Sequence, residues 1–200
     1  MKNFLYLLAL VLGVATAIGY VVGKGWEEEA AKQHAEMSKS QRIGMWKKQA
    51  HLGDPQAQYL LGDYYEKERT DYLNAQKWYR YAAIKGQHAG AQYRLAQLYM
   101  NGRGVENNLP EAMKWFRLSA AQGEARAQFF LGVAERDGWE RKADFIEAYK
   151  WFLLANRDAT SVRAEDPRYD PTVALQELDA KMSKFNREEG QKRADKWRAK

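Results

Sequence analysis

Residues 86–123, GQHAGAQYRLAQLYMNGRGVENNLPEAMKWFRLSAAQG, contain two apolar runs separated by a glycine-rich break. Within each run the apolar side chains recur at the three- and four-residue spacing of an amphipathic helix. The break, Gly102-Arg103-Gly104-Val105, has the composition of a turn. The stretch therefore predicts a helix, a loop and a second, antiparallel helix. The residues that define the two runs are Ala91, Gln92, Leu95, Leu98 and Tyr99, then Ala112, Trp115, Phe116 and Ala120.

The same pattern recurs on both sides of this stretch. An Ala-Gln pair occurs at residues 57–58, 91–92 and 127–128, and an aromatic pair occurs at residues 78–79, 115–116 and 151–152. Several columns that recur with nearly one period indicate a repeat array. Because a two-helix unit cannot bury its apolar face alone, neighbouring units must stack in order to fold.

These columns resemble the Sel-1-like repeat, a relative of the tetratricopeptide repeat, over about residues 45–156. The resemblance implies an all-α fold, a right-handed α/α solenoid of helix pairs. It also implies a protein used mainly for contact with other proteins, without catalytic activity. Because a left-handed residue after a helix costs least in glycine, we further expect left-handed caps at Gly53, Gly86 and Gly123.

The composition along the chain predicts five segments. Residues 1–3 form a cytoplasmic tip, residues 4–23 a transmembrane signal-anchor and residues 24–40 a polar stalk. Residues 41–156 hold the repeats, and their first part is a half-unit that caps the open end of the array. Residues 157–200 contain a loop over residues 157–170 and then two capping helices, which begin after Asp170 and Ser183.

Residues 4–23 carry no charge and are long enough to span a bilayer as a helix. Lys2 precedes them and Glu27, Glu28 and Glu29 follow, so the positive-inside rule places the bulk of the chain outside the cytoplasm. We expect a single-pass protein of the bacterial inner membrane with its repeats in the periplasm. The alternative is a signal peptide cleaved after Ala17, which would release the domain into the periplasm.

Gly19 and Gly23 form a G-x-x-x-G motif, which is typical of packed membrane helices. A weak dimer through these two glycines is one interpretation. Glycine at its ordinary membrane frequency is the other.

Composition and motifs argue against several classes of function. The chain has no cysteine, which excludes a disulfide framework, a thiolate metal site and a catalytic thiol. Its net charge of +6 is concentrated outside the repeats, because residues 51–183 hold 18 basic and 19 acidic residues, so we expect no nucleic-acid partner. The three histidines have no ligand-spaced partner and are interpreted as surface residues. We expect no cofactor, no metal and no enzymatic activity.

The resemblance places the first helix of each pair on the concave side of the solenoid. Apolar anchors surrounded by arginine are typical of interface centres. We therefore predict a partner-binding surface formed by Leu60, Tyr64, Arg94, Gln97, Arg126 and Phe130. The alternative is that some of these residues pack beneath the terminal helices. Two functions fit these observations: a membrane-anchored adaptor that binds another envelope protein or complex, and an immunity protein that neutralises a secreted lipase-type or similar effector.

Overall fold

The computed structural model describes residues 37–199, and residues 46–199 of this range belong to one compact unit. All regular structure in the described range is helical. The helices are α1 Lys39–His51, α2 Pro55–Lys67, α3 Tyr72–Ile84, α4 Ala89–Asn101, α5 Leu109–Ala121, α6 Ala125–Asp137, α7 Phe145–Ala155, a 3-10 helix Asn156–Asp158, α8 Ala159–Glu165, α9 Pro171–Asp179 and α10 Lys184–Lys196.

The helices of the repeats pack in sequence order. Helices α2 and α3, α4 and α5, and α6 and α7 form three pairs, and the second helix of a pair packs against the first helix of the next pair. This arrangement confirms the predicted all-helical repeat solenoid. The predicted transmembrane segment, residues 4–23, lies outside the described residues. Among residues 37–199, every helix is too short or too polar to cross a bilayer.

Each helix of the three pairs begins at a side chain that caps its free backbone amides. The second helices α3, α5 and α7 are capped by Asp71, Asn108 and Asp144. The first helices are capped by the residue three positions before each repeated alanine, namely Asp54, His88 and Glu124. The caps at the helix starts therefore repeat along with the core.

The repeated small residues let the helices of a pair approach closely. Gly62 is buried, and a Cβ atom built there would lie 2.6 Å from the Tyr79 ring. Gly132 repeats this contact with the Phe152 ring, also at 2.6 Å. Tyr79, Phe116 and Phe152 are fully buried and occupy one column of the repeats, which confirms that this column is core.

The glycine after α3 does not adopt the predicted conformation. Gly53 and Gly123 have φ of +94° and +92°, as expected for left-handed caps. At the equivalent turn the left-handed residue is Gln87, with φ of +47°, instead of Gly86. The second repeat carries one extra residue in this turn, which moves the reversal one position along. Gly86 is needed for space, because its Cβ would lie 2.3 Å from the Cβ of Pro55.

The segment between the repeats and the C-terminal helices is more ordered than predicted. The expectation of a loop over residues 157–170 is wrong for Ala159–Glu165, which forms α8, capped by Asp158. The predicted helix starts are confirmed, with Asp170 capping α9 and Ser183 capping α10. Ala174, Leu178 and Met182 are buried, and α10 packs against α7.

Candidate functional site

The six residues predicted for partner binding lie on three successive first helices. Leu60 and Tyr64 lie on α2, Arg94 and Gln97 on α4, and Arg126 and Phe130 on α6. We call the side of α2, α4 and α6 that carries these residues the first-helix face. Its two halves differ, because the α6 half is in contact with the segment formed by α8 and the residues after it.

Arg94 is the most buried charged residue of the described part, with 6% of its surface exposed. Its Nη1 donates to Glu165 Oε1 at 2.6 Å and to Gln97 Oε1 at 3.0 Å. Burial opposes the guanidinium charge, but the nearby carboxylate of Glu165 more than compensates and raises the pKa of Arg94 above its usual value. The side chain is therefore held as a charged, directed hydrogen-bond donor.

Arg126 reaches the same carboxylate from the next first helix. Its Nη1 lies 3.5 Å from Glu165 Oε2, and its guanidinium lies over the Tyr93 ring at 4.6 Å from the centroid. A second carboxylate, Glu124, accepts from its Nε and Nη2 at 2.7 and 3.1 Å. Burial also opposes this charge, but the hydrogen bonds to Glu124 raise the pKa of Arg126. Two fixed cations thus converge on one carboxylate of α8.

Phe130 lies in an aromatic cluster rather than on an open surface. It is 5% exposed, stacks on Phe116 at 5.0 Å between centroids, and meets the Tyr169 ring edge-on at 5.2 Å. Tyr169 also contacts Phe129 at 5.6 Å. Tyr169 follows α8 in the chain, so the segment that supplies Glu165 also helps to cover this apolar half of the face.

The structure thus separates the predicted set into two groups. Arg94 and Phe130 are buried within the folded chain, which agrees with the alternative that some of the six pack beneath the C-terminal segment instead of forming an open surface. Leu60, Tyr64, Gln97 and Arg126 are partly exposed. Binding of a partner by any of the six stays a prediction.

The sequence interpretation missed the two residues that cover the face, Glu165 and Tyr169. Both lie in the segment that was predicted as a loop, and neither belongs to a repeated column. The available signal was indirect. Phe130 stands at the position that Arg94 occupies in the preceding repeat. A large apolar side chain such as Phe130 is unfavourable in water, so its presence there suggests that another segment covers it.

Comparison with known proteins agrees with this architecture. The Sel1 repeat model matches residues 55–87, 89–124 and 125–158, which together are more than half of the chain. The chain belongs to the Sel1 repeat family. Repeats of this family act in protein–protein interaction and are generally non-catalytic scaffolds.

Two curated proteins are similar to part of the chain. Protein SHC1 of Saccharomyces cerevisiae is 33% identical over 126 residues, which cover 58% of this chain and 24% of SHC1. DAP3-binding cell death enhancer 1 of Rattus norvegicus is 36% identical over 87 residues, which cover 43% of this chain and 17% of the rat protein. The chain therefore spans at most about a quarter of these relatives.

Two solved structures share the fold. A protective antigen of uropathogenic Escherichia coli strains, described as having an SLR fold, superposes with a TM-score of 0.68 at 26% identity, covering 80% of this chain and 33% of the antigen. A Sel1 repeat protein from Oxalobacter formigenes superposes with a TM-score of 0.53 at 25% identity, covering 72% of this chain and 60% of that protein.

Among residues 37–199 no cluster of histidine and carboxylate side chains is suited to hold a metal ion. The phenol of Tyr93 is buried, which raises its pKa, and it accepts a hydrogen bond from Gln97 Nε2 at 2.7 Å. The groups that converge on the first-helix face are thus fixed hydrogen-bond donors and aromatic rings, which are suited to recognising another protein.

Proposed function

We propose that this Sel1 protein is a membrane-tethered adaptor that binds another protein of the bacterial envelope through its first-helix face. One observation carries the proposal: the α6 half of this face already binds a helix. Arg94 and Arg126 hold the carboxylate of Glu165 from α8, while Tyr169 packs on Phe129 and Phe130. The chain's own segment therefore illustrates how the face can hold a helix through one carboxylate.

The α2 half of the face is the part left for a partner. Leu60 and Tyr64 on α2 and Gln97 on α4 are partly exposed there, beside the charged network. An apolar side chain and an aromatic one next to a polar amide fit the composition of an interface centre. A partner segment that packs there would lie next to Arg94 and Glu165.

Tethering rests on the sequence of residues 4–23, which are uncharged and long enough to span a bilayer. A membrane anchor would confine the repeats to the membrane surface and raise their effective concentration near an envelope partner.

Alkaline phosphatase fused after Lys200 tests the orientation of the anchor, and we expect an active fusion. An inactive fusion would contradict a periplasmic repeat domain. Mass spectrometry of the mature N-terminus separates anchor from cleaved signal, since cleavage would leave Ile18 as the first residue.

Site-specific photo-crosslinking tests the binding surface directly. The full chain is expressed in cells with a photo-reactive amino acid at Tyr64, or at Leu118 on α5, which is 43% exposed and does not belong to the first-helix face. We expect one dominant protein adduct at Tyr64 that is absent at Leu118. Equal adducts at both positions, or none at either, would contradict the proposed use of this face.

A further inference from the structure

A cleft between the end of α1 and the side of α3 combines cations with aromatic rings and contains no carboxylate. Its volume is about 320 Å³. A second hollow of similar size continues it along α3 past Arg80 and Ile84. We call the first hollow the α1–α3 cleft. The side chains that define it are His51, Gln58, Lys77, Trp78, Tyr81 and Lys85.

The cleft holds a buried acceptor that lacks a donor. Gln58 is 5% exposed, and its Nε2 donates to the carbonyl of Ala50 at 3.1 Å. Its Oε1 is buried and accepts no hydrogen bond from the residues that the structure describes. A buried amide oxygen without a hydrogen-bond donor lowers the stability of the folded chain. A site with such an unpaired oxygen therefore favours a ligand with an N–H or O–H group.

In the next repeat a side chain of the protein itself donates to the equivalent amide oxygen. Gln92 is the equivalent of Gln58, and its Oε1 accepts from Gln122 Nε2 at 2.7 Å. Gln122 follows Ala120 by two positions, as Lys85 follows Ala83 in the first repeat. Lys85 instead lies near the Tyr81 ring, with its Nζ 5.9 Å from the centroid, and leaves the amide oxygen of Gln58 unbonded.

The cations beside the cleft also lack the carboxylates that their counterparts have. Lys114, in the column of Lys77, pairs with Glu111 at 3.2 Å, whereas the residue equivalent to Glu111 in the first repeat is Asn74. In the described range, Lys77, Arg80 and Lys85 form no ion pair. Helix α3 contains no acidic residue at all, while Leu73 and Ile84 on it are 71% and 51% exposed.

We infer that the α1–α3 cleft is a docking site for an acidic peptide segment of a protein partner. A peptide N–H would donate to Gln58 Oε1, carboxylates of the segment would pair with Lys77 and Lys85, and an apolar side chain would pack on Trp78 and Tyr81. This inference rests on the proposed function, since it gives the partner a second contact surface away from the first-helix face. Charge complementarity and the unpaired amide oxygen together favour a peptide over a flat lipid surface, which could not reach a buried acceptor.

The probe is an octapeptide in which pairs of glutamates flank single leucines, with fluorescein on its N-terminal amine and an amidated C-terminus. It is titrated against the full chain in phosphatidylcholine nanodiscs, and anisotropy reports binding. We expect saturable binding that weakens with added salt, because the charges are screened. The same peptide with glutamine in place of glutamate should bind at least about tenfold more weakly, which corresponds to the loss of charge-assisted hydrogen bonds.

The decisive variant is Lys85→Gln, which introduces the donor that closes the equivalent site of the next repeat. Its amide should satisfy Gln58 Oε1, so the melting temperature should be equal or higher while peptide affinity falls about tenfold. Lys77→Gln removes an exposed cation and should lower affinity without affecting folding. Lys114→Gln is the matched control from the second repeat and should leave peptide binding unchanged.

Several results would overturn the inference. One is equal affinity of the chain for the glutamate and glutamine peptides. Another is unchanged peptide affinity in both Lys85→Gln and Lys77→Gln. The third is a loss of peptide affinity in Lys114→Gln as large as that in Lys85→Gln. Binding of the chain to phosphatidylglycerol vesicles that is abolished by Lys77→Gln, with no peptide binding, would instead assign the cleft to a membrane surface. If crosslinks at Tyr64 persist while the cleft fails these tests, the proposed adaptor function stands and only this second surface is wrong.

Discussion

The carboxylate of Glu165 lies 2.6 Å from Nη1 of Arg94, although the two residues are 71 positions apart in the chain. Arg94 comes from the repeated part of the sequence and Glu165 from the part that does not repeat. Their contact fixes α8 against the first-helix face, where Arg126 contacts the same carboxylate. One buried ion pair therefore links the repeat array to its C-terminal segment.

Removing Glu165 should destabilise the chain far more than removing an exposed partner. Glu165→Ala leaves the buried Arg94 guanidinium without its nearest carboxylate, and we expect a loss of about 3 kcal/mol in unfolding free energy. Glu177→Ala is the control, because Glu177 is about half exposed and lies 3.5 Å from Arg136, and it should cost less than about 0.5 kcal/mol. Urea denaturation followed by circular dichroism measures both.

The same pair allows a stricter test. Replacing Arg94 by Met and Glu165 by Leu together removes both charges, so the double variant should be more stable than Glu165→Ala. A double variant that is less stable would show that the charges themselves stabilise the folded chain. Equal effects of Glu165→Ala and Glu177→Ala would contradict the buried ion pair.

Phe130 and Leu60 should behave differently although both were predicted as surface anchors. Phe130→Ala should cost about 3–5 kcal/mol, because it empties a cluster formed with Phe116 and Tyr169. Leu60 is half-buried on α2, so Leu60→Ala should cost about 1 kcal/mol and mainly affect partner binding. Thermal unfolding distinguishes the two, and similar melting temperatures would contradict the assignment of Phe130 to the core.

The repeated part of the fold was predictable because the same contact recurs in each unit. Ala57, Ala91 and Ala127 share one column, and the aromatic rings of Tyr79, Phe116 and Phe152 share another. A contact that recurs in three repeats requires similar residues at three equivalent positions of the sequence. The helix pairs and their core columns could therefore be predicted without any structure.

The candidate site was predictable only in part, because its chemistry depends on contacts that occur once. Nothing in the local sequence around Glu165 indicates Arg94 as its partner. The two residues are 71 positions apart, and only the tertiary fold brings them into contact. The capping role of His88, in contrast, could have been predicted from its position in the repeat. His88 stands three residues before Ala91, as Asp54 stands before Ala57 and Glu124 before Ala127, and all three residues cap helices.

His88 should make stability depend on pH. Its Nδ1 accepts from the Ala91 amide at 3.2 Å, so Nε2 carries the proton and donates to Gln56 Oε1 at 2.8 Å. Burial lowers the pKa of His88, so the folded state binds its proton less tightly than the unfolded state does. Stability is therefore complete above the unfolded pKa of about 6.5, and falls as the pH decreases from there to the folded pKa.

Two substitutions distinguish the role of His88 as a helix cap from the effect of its protonation. His88→Asn keeps an acceptor at the cap and should remove the pH dependence that His88 contributes. His88→Ala removes the acceptor and should cost about 1 kcal/mol at neutral pH. Unfolding free energies of the three proteins are compared between neutral and mildly acidic pH. A curve for His88→Asn as steep as that of the natural chain would rule out His88 as the titrating group.

Glycine-to-alanine substitutions should have opposite signs at two helical positions. In Gly62→Ala the new methyl group would lie 2.6 Å from the Tyr79 ring, and Tyr79 cannot retreat because it is fully buried and its hydroxyl donates to Glu66 at 2.7 Å. Overpacking of this kind costs about 1–3 kcal/mol. Gly44 on α1 is exposed with no atom within 4 Å of its Cβ position, so Gly44→Ala should gain up to about 1 kcal/mol from helix propensity.

Gly132→Ala provides an internal replicate, because the Phe152 ring lies as close to Gly132 as the Tyr79 ring lies to Gly62. If close approach of the paired helices is the reason for glycine in this column, both substitutions should lower the melting temperature by similar amounts, while Gly44→Ala raises it. A stabilising Gly62→Ala would mean that the gain in helix propensity exceeds the steric cost. The contact between first and second helices would then be looser than the positions of Gly62 and Tyr79 indicate.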